Sequence, residues 1–189
     1  MKVFLKSRII NDVHYESFDY ITNLGFKNKL KLDIRNLNTV GKNDTTYKSS
    51  PELDLVSLFD MNVSLPLVKE EEKFTNFLTP KFSLRYNPTN MIDHSTSSNT
   101  LYVDNIFNMN RLGLSDTLES GKSLTLGLEY KKEKNKNKES LEDENIDEIN
   151  KYFEFKLATV LRDKEESNIS STSTINRKQS NLFGSVTNN

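Results

Sequence analysis

The chain has 189 residues, enough for one ordinary domain or a piece of a larger one. Hydrophobic residues make up 34% and charged residues 28%, the net charge is -1, and cysteine is absent. This excludes disulfide staples, thiolate metal sites and a global field that would steer nucleic acid, and no stretch approaches the ~18 consecutive apolar residues of a transmembrane helix.

The N-terminal run MKVFLKSRII is positively charged, but Lys6 and Arg8 interrupt its apolar residues. It therefore lacks the continuous apolar core of a secretory signal peptide. Val13, Tyr15, Ser17 and Asp19 then alternate weakly with His14, Glu16 and Phe18. Asn23, Leu24 and Gly25 predict a short turn, with Gly25 free to take a positive φ. Leu30, Leu32 and Ile34 alternate with Lys31, Asp33 and Arg35, which is the period of a strand. Residues 39 to 48 read as a polar loop.

A longer strand follows, with Leu53, Leu55, Phe59, Met61, Val63 and Leu65 on one face. Asp54, Asp60, Asn62 and Ser64 occupy the other face, where Val56 and Leu58 break the pattern. Lys69 to Lys73 predicts a charged turn after Pro66. Phe82, Leu84 and Tyr86 alternate with Lys81, Ser83 and Arg85. Residues 87 to 103 form a loop opened by Asn-Pro and filled with Ser, Thr and Asn.

Residues 104 to 131 begin as an irregular polar segment and then switch to strict alternation. Leu124, Leu126, Leu128 and Tyr130 lie on one side, with Thr125, Gly127, Glu129 and Lys131 on the other. Gly127 on a polar strand face marks a bend or a close approach. Residues 131 to 150 form a charged loop, basic first and acidic after. Phe153, Phe155, Leu157 and Leu161 alternate with Glu154, Lys156 and Arg162, residues 163 to 179 are Ser/Thr-rich, and residues 180 to 187 predict a last strand.

These strands predict an all-β fold, an antiparallel meander of long amphipathic strands. Many could reach the ~9–11 residues that a tilted strand needs to cross a bilayer. Charged residues in mid-strand suit a wet interior or an exposed sheet face better than a packed core. The same alternation also fits a half-exposed sheet in a soluble or periplasmic binding domain, although sandwich strands are usually shorter. A complete small barrel of ~8 strands is a third possibility.

Candidate chemistry is sparse. His14 and His94 stand in unrelated segments, without the spacing of a zinc pair. Glu142, Asp143, Glu144, Asp147 and Glu148 lack the glycine turn of a calcium loop, so a solvated loop with one helical turn capped by Ser140 is the simpler reading. Lys131, Lys132, Lys134, Lys136 and Lys138 suit either anionic headgroups or plain solvation. Asp116 and Glu119 have the residue types of an acid/base pair, but nothing supplies a nucleophile or metal, and no glycine loop would cradle a phosphate. No enzyme, cofactor, metal or nucleic acid is expected.

One stretch carries a family resemblance. Asp104, Asn105, Ile106 and Phe107, then Asn110 and Arg111, then Asp116 to Glu119 and Gly121, followed by Ser123 to Gly127, resemble the D-N-x-F…N-R…D-x-x-E-x-G-x-x-L-T-x-G pattern of the LPS-assembly protein LptD family. Ser64 to Leu67 with Pro66 resembles the family's S-x-P element. Pro80 with Arg85, Tyr86, Asn87 and Pro88 resembles its P-x-x-x-x-x-Y-x-P strand. Arg162 and Asp163, with Ser180 to Gly184, resemble its last strand pair. Residues 64 to 184 carry these elements.

The resemblance implies an outer-membrane barrel of on the order of 26 strands behind a periplasmic jellyroll. It implies lipopolysaccharide as cargo, outer-membrane lipids as surroundings, and an LptE-like plug lipoprotein and the periplasmic Lpt bridge as partners in a Gram-negative envelope. Residues 1–189 are then expected to be one internal segment of the barrel, without signal peptide or jellyroll. The family's cysteine pairs have no counterpart here. The segment from Asp104 to Glu119 is expected to fold against the barrel mouth or lumen as a fixed polar insert, with Arg111 and the carboxylates Asp104, Asp116 and Glu119 as ion-pair and hydrogen-bond partners. Leu124, Leu126, Leu128, Phe153, Phe155 and Leu157 are expected to face lipid.

Overall fold

The computed structural model describes residues 4–44, 47–135 and 151–189. Among these, nine strands form a single antiparallel sheet: β1 (Leu5–Glu16), β2 (Tyr20–Ile21), β3 (Lys27–Lys42), β4 (Glu52–Ser64), β5 (Leu67–Glu70), β6 (Phe74–Asn87), β7 (Gly121–Lys134), β8 (Tyr152–Arg162) and β9 (Phe183–Asn188). The order is β1-β3-β4-β6-β7-β8-β9, with β2 beside β3 and β5 beside β6. Neighbours in the sheet are neighbours in the chain, so the fold is the expected all-β meander. β1 and β9 do not pair with each other, and the sheet is open.

Several strands outrun their alternation. β1 starts at Leu5, where the pattern is unclear, because all of it pairs with β3 from Leu5 opposite Lys42 to Glu16 opposite Lys31. The same pairing extends β3 through Thr39 to Lys42, which the sequence placed in a loop. β5 takes Lys69 and Glu70 from the predicted turn, and β7 runs on to Lys134. The last strand starts at Phe183, later than expected, and ends at Asn188. A full-length partner strand extends pairing beyond what local preference supports. Gly25 does take a positive φ of 84° in its turn. The Ser140 cap, the acidic run from Glu142 to Glu148, and Lys136 and Lys138 lie outside the described residues.

Two prolines share one irregularity. β4 and β5 are two halves of one long strand, broken at Leu65 and Pro66. The amide of Leu65 donates to the carbonyl of Pro80 at 3.0 Å. In an antiparallel strand a residue's N–H and C=O point to the same side, so the donor missing from Pro80 falls at the break. The opposite edge of β6 is untouched, and its ladder with β7 runs without interruption from Phe74 opposite Lys134 to Asn87 opposite Gly121.

The two faces of the sheet are inverted relative to a water-soluble protein. On the apolar face, Leu30, Leu53, Leu55, Phe59, Leu78, Phe82, Leu84, Leu126, Leu128 and Phe153 are each between 36% and 66% exposed. Fully burying such a side chain contributes ~1.5–3 kcal/mol, so leaving these ten half in water costs on the order of 10 kcal/mol. That equals the whole net stability of a typical domain, ~5–15 kcal/mol. The face therefore requires an apolar surrounding. No second sheet covers it among the described residues, so the sandwich alternative has no packed core on that side.

The polar face is the buried one. Asp60, Ser83, Arg85, Asn87, Ser123, Thr125 and Arg162 are all buried there. Two connections from the same end of the sheet cover it: residues 88–120 between β6 and β7, and residues 163–182 between β8 and β9. Ile106, Leu112 and Leu114 of the first pack with Ile169 and Ile175 of the second, above Ala158 and Val160 of β8. A smaller cluster joins Met109 and Leu118 of the insert to Val56 and Leu58 of β4.

Candidate functional site

The sheet register builds the floor of the site. Asp60 of β4, Arg85 of β6, Ser123 of β7 and Arg162 of β8 stand directly opposite one another and form one row across four strands. Period-2 alternation sends all four side chains to the same face. The insert 88–120 lowers Arg111 and Glu119 onto this row.

Glu119 is the centre of the charge network. Arg111 grips its carboxylate with two donors, Nε to Oε2 at 2.7 Å and a terminal nitrogen to Oε1 at 2.5 Å. Arg111 also donates to Thr125 Oγ1 at 2.9 Å and Ser123 Oγ at 3.0 Å, which ties the insert to β7. Arg162 donates to Oε1 of Glu119 at 2.6 Å and to the carbonyl of Ser120. Arg85 lies 3.8 Å from Oε2 and donates to the carbonyls of Asn108 at 2.7 Å and Met109 at 2.5 Å. On the floor, Ser83 donates to Asp60 at 2.5 Å and Asn62 to Asp60 at 2.7 Å. Burial pushes the Glu119 carboxyl up, but the guanidiniums of Arg111, Arg85 and Arg162 outweigh it and hold it well below the usual carboxylate range.

Four glycine and asparagine positions let the chain reach this geometry. Gly121 takes φ 83° where the insert re-enters β7, and a Cβ there would lie 3.0 Å from the Arg162 guanidinium. Gly127 leaves room for Phe107, whose ring a Cβ at that position would approach to 2.6 Å. The close approach expected at Gly127 is thus made by a side chain of the insert. Asn110 clasps its own loop, accepting from the amide of Leu114 at 2.9 Å and donating to its carbonyl at 2.8 Å. Asn105 does the same locally, accepting from the amide of Tyr102 at 2.8 Å.

The other predicted positions fall around this centre. Of the three carboxylates expected to meet Arg111, Glu119 does. Asp104 instead meets Lys156 at 2.9 Å, and Asp116 meets His94 at 2.8 Å. Single charges on a short irregular segment give no period, so the sequence could not decide which one turns inward. The Asp116 and Glu119 pair is split in the same way, between a histidine at the rim and an arginine cage. Pro66 at the β4–β5 break, Pro80 within β6 opposite that break and Pro88 just past β6 are exposed, and Asp163 is exposed just after Arg162. The amide of Thr89 bonds to Asn87 Oδ1 at 2.8 Å, turning the chain at Pro88 into the insert.

Arg85, Asn87, Ser123 and Thr125, named only as positions within motif stretches, and Asp60, which lay outside them, complete the site. Asn87 donates to the carbonyls of Leu118 at 3.3 Å and Glu119 at 3.0 Å. Arg35 of β3 donates to the carbonyl of Thr117 at 3.2 Å while forming an ion pair with Asp12 at 2.8 Å. The available clue was their shared position on the polar side of adjacent strands. Farther down the same face, Lys81 pairs with Glu129, and Lys156 with Glu154 at 3.0 Å. Chemically, the arrangement is a clamp. Its donors end on carboxylate, carbonyl and hydroxyl oxygens and fasten one insert to β3, β6, β7 and β8. Among the described residues no group of three or more side chains stands ready to hold a metal ion.

No curated protein and no solved structure matches the chain. The family model for LptD, LPS transport system D, matches residues 17–189. That match spans the whole clamp, both covering connections and every strand but the first. The chain belongs to the LptD family, whose members are outer-membrane β-barrels of lipopolysaccharide transport.

Proposed function

We propose that this chain forms part of the wall and the internal plug of a barrel that inserts lipopolysaccharide into the outer leaflet. The observation that carries the proposal is the inversion of the sheet. Its apolar face is open over most of its length, although Val63 on it is buried, while the chain's own insert covers its polar face through the Arg111–Glu119–Arg162 clamp. A transmembrane barrel needs an apolar exterior and tolerates a polar interior. In this reading the site residues are structural. Arg111, Glu119 and Arg162 fix the insert, Asn105, Phe107 and Asn110 shape it from within, Pro88 and Gly121 stand at its two ends, and Pro66 and Pro80 mark the β4–β5 break.

The fixed insert narrows the interior beside strands that carry the paired charges of Lys81, Glu129, Lys156 and Glu154. Such a surface suits the sugar and phosphate portion of lipopolysaccharide, whose acyl chains require the apolar side. A plug lipoprotein and a periplasmic bridge are the partners that family membership supports. The reading is of a transporter without covalent chemistry.

The test places a photocrosslinking side chain at Glu129 on the polar face, or at Leu126 on the apolar face, in the full-length protein in cells. Capture of lipopolysaccharide in transit from Glu129 is expected. Capture of none from either position, while the protein still reaches the outer membrane, would remove the transport reading.

A further inference from the structure

The β6–β7 hairpin carries two matched cation–aromatic pairs on its outward face, one near each end. At one end Lys122 Nζ lies 5.3 Å from the ring centre of Tyr86, its direct cross-strand neighbour. At the other end Lys132 Nζ lies 4.3 Å from the ring centre of Phe74. Between them the outward positions of β7 are Leu124, Leu126, Leu128 and Tyr130, with no charge.

The geometry points to these pairs as collars that seat the sheet between the two phosphate layers of a bilayer. From Lys122 to Lys132 the strand rises about 34 Å at ~3.4 Å per residue. At a tilt of ~40° this spans about 26 Å along the membrane normal, close to the ~25 Å apolar band of outer-membrane barrels. A lysine at such a border lays its stem along apolar surface and sends its ammonium to phosphate, while an aromatic ring beside it occupies the headgroup level. Lys122 and Lys132 are placed for this, with lipid phosphates as their counter-charges beside the Glu71 carboxylate that lies within electrostatic reach of Lys132.

A second consequence concerns the insert. Gly127 is midway between Lys122 and Lys132, and Phe107 presses on its opposite face. The tip of the insert therefore reaches the bilayer midplane and fills the interior from one surface only to that depth. The inference rests on the barrel reading above and adds the membrane borders to it.

The chain contains no tryptophan, so each replacement adds one emitter to this segment. Tyr86→Trp, Leu126→Trp and Phe74→Trp are made singly in the whole protein. Each is folded into phosphatidylcholine and phosphatidylglycerol vesicles whose lipids are brominated close to the glycerol ester or close to the methyl end. The ratio of deep to shallow quenching is expected above one at residue 126 and below one at residues 74 and 86. Brominated phosphatidylglycerol is expected to quench Tyr86→Trp more than brominated phosphatidylcholine does, and Lys122→Gln to abolish that difference. Equal depths at all three sites, or no effect of Lys122→Gln, would overturn the collars and leave the cargo reading untouched. No quenching at any of the sites would overturn the barrel reading itself.

Discussion

Phe107 rests on Gly127 so closely that any β-carbon there would meet its ring at 2.6 Å. The same ring lies 5.3 Å from Lys81 Nζ, so one aromatic side chain fastens the tip of the insert to β6 and β7 together. Gly127→Val is expected to expel the ring and to cost about 1–3 kcal/mol, as overpacking does. Limited proteolysis of the folded protein should then cut within residues 88–120 at rates the parent does not show. The double variant Gly127→Val, Phe107→Ala should lose less than the sum of the two single changes, because each removes part of the same conflict.

Glu119 and Asp104 are both motif carboxylates, yet their contexts differ. Glu119 is buried among three guanidiniums, whereas Asp104 meets Lys156 at an exposed position. Removing the charge from a buried pair leaves uncompensated partners and costs about 3–5 kcal/mol, while an exposed pair contributes about 0–1 kcal/mol. Glu119→Gln should therefore sharply lower the unfolding temperature in detergent and free the insert to protease. Asp104→Asn should leave both nearly unchanged. Similar losses from the two variants would sink the assignment of Glu119 as the anchor.

The clamp also sets a pH dependence. The folded Glu119 carboxyl titrates below the ordinary glutamate value of 4.5 because of the arginines around it. A depressed folded value means that its stabilisation is fully present above the unfolded value and disappears as pH falls through the folded one. Docking of the insert is thus expected to be insensitive to pH from neutrality to about 5, then to weaken progressively in stronger acid. Protease protection of residues 88–120, followed as pH is lowered, should show this. The Glu119→Gln protein should show a flatter profile over the same acid range.

The strand plan was legible because one face of each long strand must stay apolar, which stamps period 2 on the sequence. Leu124, Leu126 and Leu128 against Ser123, Thr125 and Glu129 leave little room for another register. The family resemblance implied an insert against the barrel mouth or lumen, but the apolar core that holds the cover over the polar face was not legible. Met91, Leu101, Val103 and Ile106, with Ile169 and Ile175 from the second connection, are single apolar residues scattered through Ser- and Asn-rich stretches. They follow no period because irregular backbone carries them, and their core exists only once two connections distant in sequence meet over β8. The motif positions drew attention to Arg111 and Glu119. Only the register brought Asp60 and Arg85 beneath them.

Val56 and Leu58 offered a clue to that cover in the alternation itself, as apolar residues on the face that should have been polar. Both are buried, packed against Met109 and Leu118 of the insert. Leu55 on the same strand points the other way and is 59% exposed. Truncating Leu58 opens a cavity under the insert, so Leu58→Ala is expected to cost about 2–4 kcal/mol of stability in detergent. Leu55→Ala removes a side chain that meets solvent, detergent or lipid and should cost about 1 kcal/mol or less under the same conditions. The comparison needs only two unfolding curves of the folded protein. Its order reverses if the apolar face is the packed one, because Leu55 would then be the core residue and Leu58 the bystander.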